Sequence, residues 1–242
     1  MTQFVNDQLV LISGESGTGK SLSLMNLRNS EKVMYLNCES GKRLPFRNKF
    51  KTYVITDPLQ VYEAFTHANG NPDFDVIVID TLTFLMDMYE SNYIIPVGDK
   101  QKAWGDYQQY FKNLMQLYVA PSNKQVLFLA HTKSELNTSI NEYTVSVPVK
   151  GALKANGLEA YFSTVVSTKK LPLKDVKAYG SDLINISERD ETLGFKHVFQ
   201  TQLTKATVGD RIRSPLNMFT VPQTYMDNDA QLLLDHLNNY YS

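Results

Sequence analysis

The chain has 242 residues, 43% of them hydrophobic, and a formal net charge of −1. That is enough apolar material for a sizeable buried core, and too little net charge for a global field that would draw the protein onto nucleic acid or an anionic membrane. A single cysteine, Cys38, excludes an internal disulfide framework and a cysteine-rich zinc site, and the histidines show no paired ligand spacing. No apolar run approaches the roughly 18 residues of a membrane span and MTQFVNDQ is no signal segment, so the expectation is a soluble protein of the cytoplasm with no membrane contact.

Taken in chain order, short apolar runs alternate with polar or helix-patterned segments. QLVLIS (8–13), KVMYLN (32–37), TYVIT (52–56), DVIVID (75–80) and QVLFLAH (125–131) read as strands buried on both faces of a mainly parallel sheet. Between them, SLSLMNLRN (21–29) spaces Leu22, Met25 and Leu27 as a helix would, DPLQVYEAFTHAN (57–69) opens on an Asp-Pro start signal, TLTFLMDM follows DVIVID as a helix, and residues 100–121 carry an aromatic stripe ending at Pro121. Beyond His131 the pattern turns polar and then alternates in EYTVSVPV. YFSTVVSTKK (161–170), DLINISE (182–188) and KHVFQTQLT (196–204) predict antiparallel strands added at the sheet's edge, and residues 229–241 a closing helix. With no repeat and no linker, residues 1–242 are expected to form one α/β domain, a mainly parallel sheet flanked by helices.

GESGTGKS satisfies G-x-x-x-x-G-K-[ST] at Gly14, Glu15, Ser16, Gly17, Thr18, Gly19, Lys20 and Ser21, between a predicted strand and a predicted helix. Wrapping a polyphosphate with successive backbone N–H groups requires small residues, Lys20 would reach the β- and γ-phosphates of ATP, and Ser21 would bind Mg²⁺. DVIVID ends in Asp80, the second acid such a metal shell needs, held through water; the competing role is a cap for the next helix. Hydrolysis also needs a group that orients water. Glu39, ending VMYLNCE beside Asp80's strand, is the candidate, with a solvated loop acid as the alternative. Asp75, starting the same strand as Asp80, belongs at the far edge. His131 ends the fifth apolar strand, where it would sense the γ-phosphate or serve only structurally.

GESGTGKS, LNCES, VIVIDTLT and LFLAHTK, in that order, resemble the ATPase core of the RecA superfamily, and TQLTKATVGDRIRSPLNMF resembles phage-encoded proteins made of that core alone, acting in single-strand annealing or recombination. The resemblance implies nucleotide roles for Lys20, Ser21 and Asp80, catalysis by Glu39 and sensing by His131, where RecA has glutamine. It implies that residues 132–151 form a DNA-binding loop, with Lys133, Tyr143 and Lys150 as contacts to single-stranded DNA. Tyr89, Tyr93, Lys100 and Lys102 form a second candidate surface. Lys205, Arg211 and Arg213 fall where such proteins extend basic fingers to a neighbour's nucleotide, which implies a homo-oligomer, and a single-strand DNA-binding protein is a further expected partner. QLVLIS begins at residue 8, so the expectation is a core without RecA's extra N-terminal docking element. Two other functions remain open: a nucleotide switch acting on a protein partner, favoured by the weak basicity, and a small-molecule kinase, disfavoured by the absence of an Arg-rich lid.

Overall fold

In a computed structural model, residues 5–138 and 142–242 are described. Their strands are β1 (Leu9–Gly14), β2 (Val33–Asn37), β3 (Lys51–Val54), β4 (Val76–Asp80), β5 (Gln125–His131), β6 (Lys133–Asn137), β7 (Glu142–Ser146), β8 (Thr164–Pro172), β9 (Phe195–Gln200) and β10 (Tyr225–Asp227). Eight form one sheet in the order β10-β9-β8-β1-β5-β4-β2-β3, parallel from β8 to β3 and antiparallel at β9 and β10. The predicted α/β architecture is therefore present.

Period-two alternation sends successive side chains to opposite faces. Leu9 and Leu11 of β1, Ile77 and Ile79 of β4, and Val126 and Phe128 of β5 pack under α1 (Gln60–Asn69), α2 (Leu82–Tyr89) and α3 (Lys100–Asn113). On the other face Val10, Ile12, Val78, Leu127 and Leu129 meet Leu24, Leu27 and helix α7 (Ala230–Tyr241), which contributes Leu233, Leu234 and Leu237. Each fully buried side chain of this size contributes about 1.5–3 kcal/mol, so both faces are needed to hold the sheet.

Several expectations are corrected. The segment after the glycine loop is a six-residue 3-10 helix, Ser21–Asn26, not a helix to residue 29. Within it Ser23 and Leu24 are buried whereas Leu22 and Met25 are exposed, and Leu27, buried just beyond its end, has already left helical geometry at ψ 125°. β3 is an edge strand with Tyr53 and Val54 exposed, not a strand buried on both faces. β8 lies parallel against β1 inside the sheet, and residues 182–188 form no strand. The alternating EYTVSVPV stretch supplies β7, which pairs with β6 as a separate hairpin rather than extending the main sheet. Residues 139–141 of the expected DNA-binding loop lie outside the described residues. Among the described residues, no helix is long and apolar enough to cross a membrane.

Candidate functional site

In a parallel sheet the strand C-termini share one edge, and here that edge gathers the expected site. Gly14 of β1 registers with His131 of β5, and Asp80 of β4 with Asn37 of β2, two residues before Glu39. Because β5 lies between β1 and β4, the two strands are about 10 Å apart, and the glycine loop arches across the end of β5 to reach Asp80.

The loop is held from behind. A Cβ on Gly14 would overlap the hydroxyls of Thr168 and Thr18, while Gly17 at φ 78° and Gly19 at φ 105° adopt conformations that favour glycine. Thr18 Oγ1 donates to the Glu15 carbonyl at 2.8 Å and lies 2.5 Å from Thr168 Oγ1. His197 Nδ1 sits 2.8 Å from the Thr18 carbonyl and must carry the proton there, since a carbonyl only accepts; Asn228 Nδ2 donates to the Gly19 carbonyl at 2.9 Å. A trans peptide points its N–H opposite its carbonyl. Tying those two carbonyls back therefore aims the N–H groups of Gly19 and Lys20 the other way. The short 3-10 helix contributes little dipole, which leaves the loop amides and Lys20 as the groups that could grip an anion. Lys20 is 6% exposed, and its Nζ donates to the carbonyls of Gly14 at 2.9 Å and Glu15 at 2.8 Å. Burial lowers its pKa to about 8, against the opposing pull of Asp80 and Glu39.

Asp80, 1% exposed, accepts through Oδ2 from Tyr35 Oη at 2.7 Å and Ser21 Oγ at 3.0 Å. Burial raises its pKa, and those two donors act in the opposite direction. Its Oδ1 is buried with no hydrogen-bond partner. Asp80 does not cap α2, where Thr81 holds the N-cap position. An orphaned carboxylate oxygen beside a serine hydroxyl fits Mg²⁺, which keeps water and substrate phosphate in its shell and needs few protein ligands. Among the described residues no cluster of three or more His, Cys, Asp or Glu able to hold a metal occurs. Glu39 lies across the pocket. Its Oε1 is 3.3 Å from His131 Nε2 and its Oε2 is 2.7 Å from Lys42 Nζ. The His131 hydrogen bond, helped by Lys42 and opposed by burial, lowers its pKa to about 2. Cys38 is buried and its pKa is pushed up by that burial, as expected of an inert thiol.

Lys20, Ser21, Glu39, Asp80 and His131 thus line one pocket of about 270 Å³ together with Lys42, Arg43 and His197. Sequence reasoning missed Tyr35, Lys42, Arg43, His197 and Asn228. The local signal for two of them was legible, since GKR follows CES directly; His197 and Asn228 are contributed from far along the chain. An adjoining groove, lined by Leu22, Met25, Pro45, Phe46, Phe195 and His197, opens from the same pocket.

Lys133 and Lys150 line a second cavity, of about 280 Å³, with Lys154, Arg211, Asp87 and Thr83. Tyr143 is exposed on β7 and does not line it. The alternative surface around Tyr89 is used structurally: Tyr89 is buried, Tyr93 Oη donates to Asp57 at 2.6 Å, and Lys100 Nζ donates to the carbonyls of Ile94 and Ile95. Lys205, Arg211 and Arg213 are exposed and none lines the phosphate pocket of its own chain. Asp75 lies at the opposite edge beside Lys32 at 3.6 Å, as expected.

A glycine loop leaving a parallel strand, a buried lysine inside it, and a serine bonded to an aspartate one strand beyond its neighbour define a P-loop nucleotide-binding site. The chain belongs to the AAA domain family of P-loop ATPases, whose family model matches residues 6–194. No curated protein matches it. The matched span includes Thr168 but ends before His197 and Asn228, two further side chains that hold the loop from behind.

Proposed function

We propose that the protein is a Mg²⁺-dependent ATPase with a RecA-type core that binds single-stranded DNA and promotes annealing or strand pairing. The observation carrying this reading is the convergence of Glu39 and His131 with Lys20 and Asp80 in one pocket, while β6 starts two residues after His131 and leads into the cationic cavity. Lys20 and the loop amides bind the β- and γ-phosphates, and the mixed groove that sets Leu22, Met25 and Phe46 beside Arg189, Asp190 and Lys196 takes the nucleoside. Mg²⁺, when bound at Ser21 and Asp80, neutralises phosphate charge. Glu39, ionised at any working pH, orients the attacking water, with His131 fixing its carboxylate. Lys133, Lys150 and Lys154 attract the phosphodiester backbone, and the exposed Tyr143 offers a face for base stacking. Assembly into a homo-oligomer would let Lys205, Arg211 or Arg213 approach a neighbour's nucleotide.

ATPase rate and gel mobility measured with and without single-stranded oligonucleotide, at low and moderate salt, test the reading. Stimulation and a salt-sensitive shift are expected, with Lys20→Ala abolishing nucleotide binding and Glu39→Gln keeping binding but stopping turnover. Replacing Lys133, Lys150 and Lys154 with alanine should flatten the log–log salt slope by about 0.7 per lysine. The ion pairs of Lys133 with Glu135 and Lys150 with Glu90 favour a second reading, a nucleotide switch acting on a protein partner. Absence of both shift and stimulation at low salt would select it.

A further inference from the structure

The turn after β2 brings into the phosphate pocket a cation that the phosphate-loop motif does not include. Asn37 clamps both ends of it: the Glu39 N–H donates to Asn37 Oδ1 at 3.0 Å, and Asn37 Nδ2 donates to the Lys42 carbonyl at 2.8 Å. Between them the chain reverses through Ser40 at φ 53° and Gly41 at φ 79°, and the Lys42 N–H closes on the Glu39 carbonyl at 3.1 Å. Asn37 is itself buried in the last position of β2. Glu39 and Lys42 therefore project from one braced turn. Both line the pocket that holds Lys20 and Asp80, and the Lys42 side chain is 67% exposed while that of Glu39 is 9% exposed.

We propose that Lys42 is a terminal-phosphate ligand supplied in cis, which leaves Glu39 for the last phosphate of a bound nucleoside triphosphate and so discriminates triphosphate from diphosphate. The inference rests on the nucleotide reading of the site. Three features support it. The turn fixes the Lys42 backbone, but four methylenes let its ammonium sweep the pocket mouth without moving Glu39. A terminal phosphate carries more charge than one carboxylate and offers three acceptor oxygens, so it outcompetes Glu39 for a mobile cation. The exchange also removes one of the two donors that hold Glu39 acidic, and a more basic carboxylate is better matched to polarising water. The charge that Lys205, Arg211 or Arg213 would bring from a neighbouring subunit thereby has a counterpart within the chain, beside Lys20.

The test is calorimetric titration of the wild-type protein, Lys42→Ala and Lys42→Arg with a non-hydrolysable ATP analogue and with ADP, each with and without Mg²⁺. Loss of one charge-assisted contact should weaken the analogue about tenfold in Lys42→Ala, while ADP affinity stays within about twofold and Lys42→Arg recovers most of the difference. Affinities unchanged for both ligands, or lowered equally for both, overturn the proposal while the nucleotide site stands. A wild-type protein that binds neither ligand overturns the nucleotide reading with it. Thermal melts of the variants separate these results from misfolding, which would lower both affinities together.

Discussion

A lysine kept charged inside a protein works against folding unless something repays its lost hydration. Lys20 is such a group: its folded pKa of about 8 lies below the usual 10.5 because burial outweighs the pull of Asp80 and Glu39. Between those two values the unfolded chain binds more protons than the folded one, so stability contributed through Lys20 rises with pH across that window and its cost is fully present below about pH 8. Lys20→Met should therefore stabilise the nucleotide-free protein by about 1–3 kcal/mol at pH 7, with the gain shrinking toward pH 10. Urea denaturation at the two pH values checks both the sign and the trend, and nucleotide binding by the same variant should be lost. The placement of Lys20, Ser21 and Asp80 in one pocket was legible in the sequence because it follows from a fixed local spacing and a strand end. Tyr35 was not, because a tyrosine within VMYLN looks like any strand aromatic until β2 and β4 are paired and its hydroxyl meets Asp80.

The phosphate loop is only as stiff as the elements behind it, and those come from late in the chain. Asn26 Nδ2 donates to Asp229 at 2.7 Å and the Arg28 N–H donates to Gln231 at 2.9 Å, so the chain leaves its 3-10 helix to engage the start of α7. Those contacts explain why the segment expected to run helically to residue 29 stops at Asn26: local propensity is weak against a tertiary anchor. The 3-10 helix and α7 share one apolar cluster, so loosening α7 should be felt at the nucleotide. Leu234→Ala, which truncates a fully buried side chain, is expected to cost about 2–5 kcal/mol, to be read from the urea midpoint, with weaker ATP binding at temperatures where the wild-type protein remains folded. The orientation of β8 was illegible for a different reason. An apolar run reports burial but not direction, and only the 3.2 Å bond from Ser13 Oγ to the Val166 carbonyl and the register of Val10 with Thr164 reveal a strand parallel to β1.

Across the whole molecule, the phosphate pocket and the cationic cavity are joined by Thr83. Its hydroxyl accepts the His131 N–H at 2.8 Å while the residue also lines the cavity. His131 in turn touches Glu39 and packs edge-on against Phe84, the next residue of α2. A ligand that shifts α2 against β5 from the cavity side therefore moves the residue that orients Glu39, and by thermodynamic reciprocity a nucleotide that shifts His131 changes the cavity by the same free energy. The prediction is a symmetric coupling. On the DNA-binding reading proposed above, ATP should tighten single-stranded DNA in Glu39→Gln, chosen to prevent turnover, by the same factor, about tenfold, by which DNA tightens ATP. Adding Thr83→Val keeps the side-chain shape but removes the acceptor for the His131 N–H. Each ligand alone should then bind within about threefold of its former affinity, while the mutual enhancement falls toward one, measured by anisotropy titrations of one ligand at zero and saturating concentrations of the other. An enhancement that survives Thr83→Val undiminished would show that the two sites communicate by a route other than the end of β5.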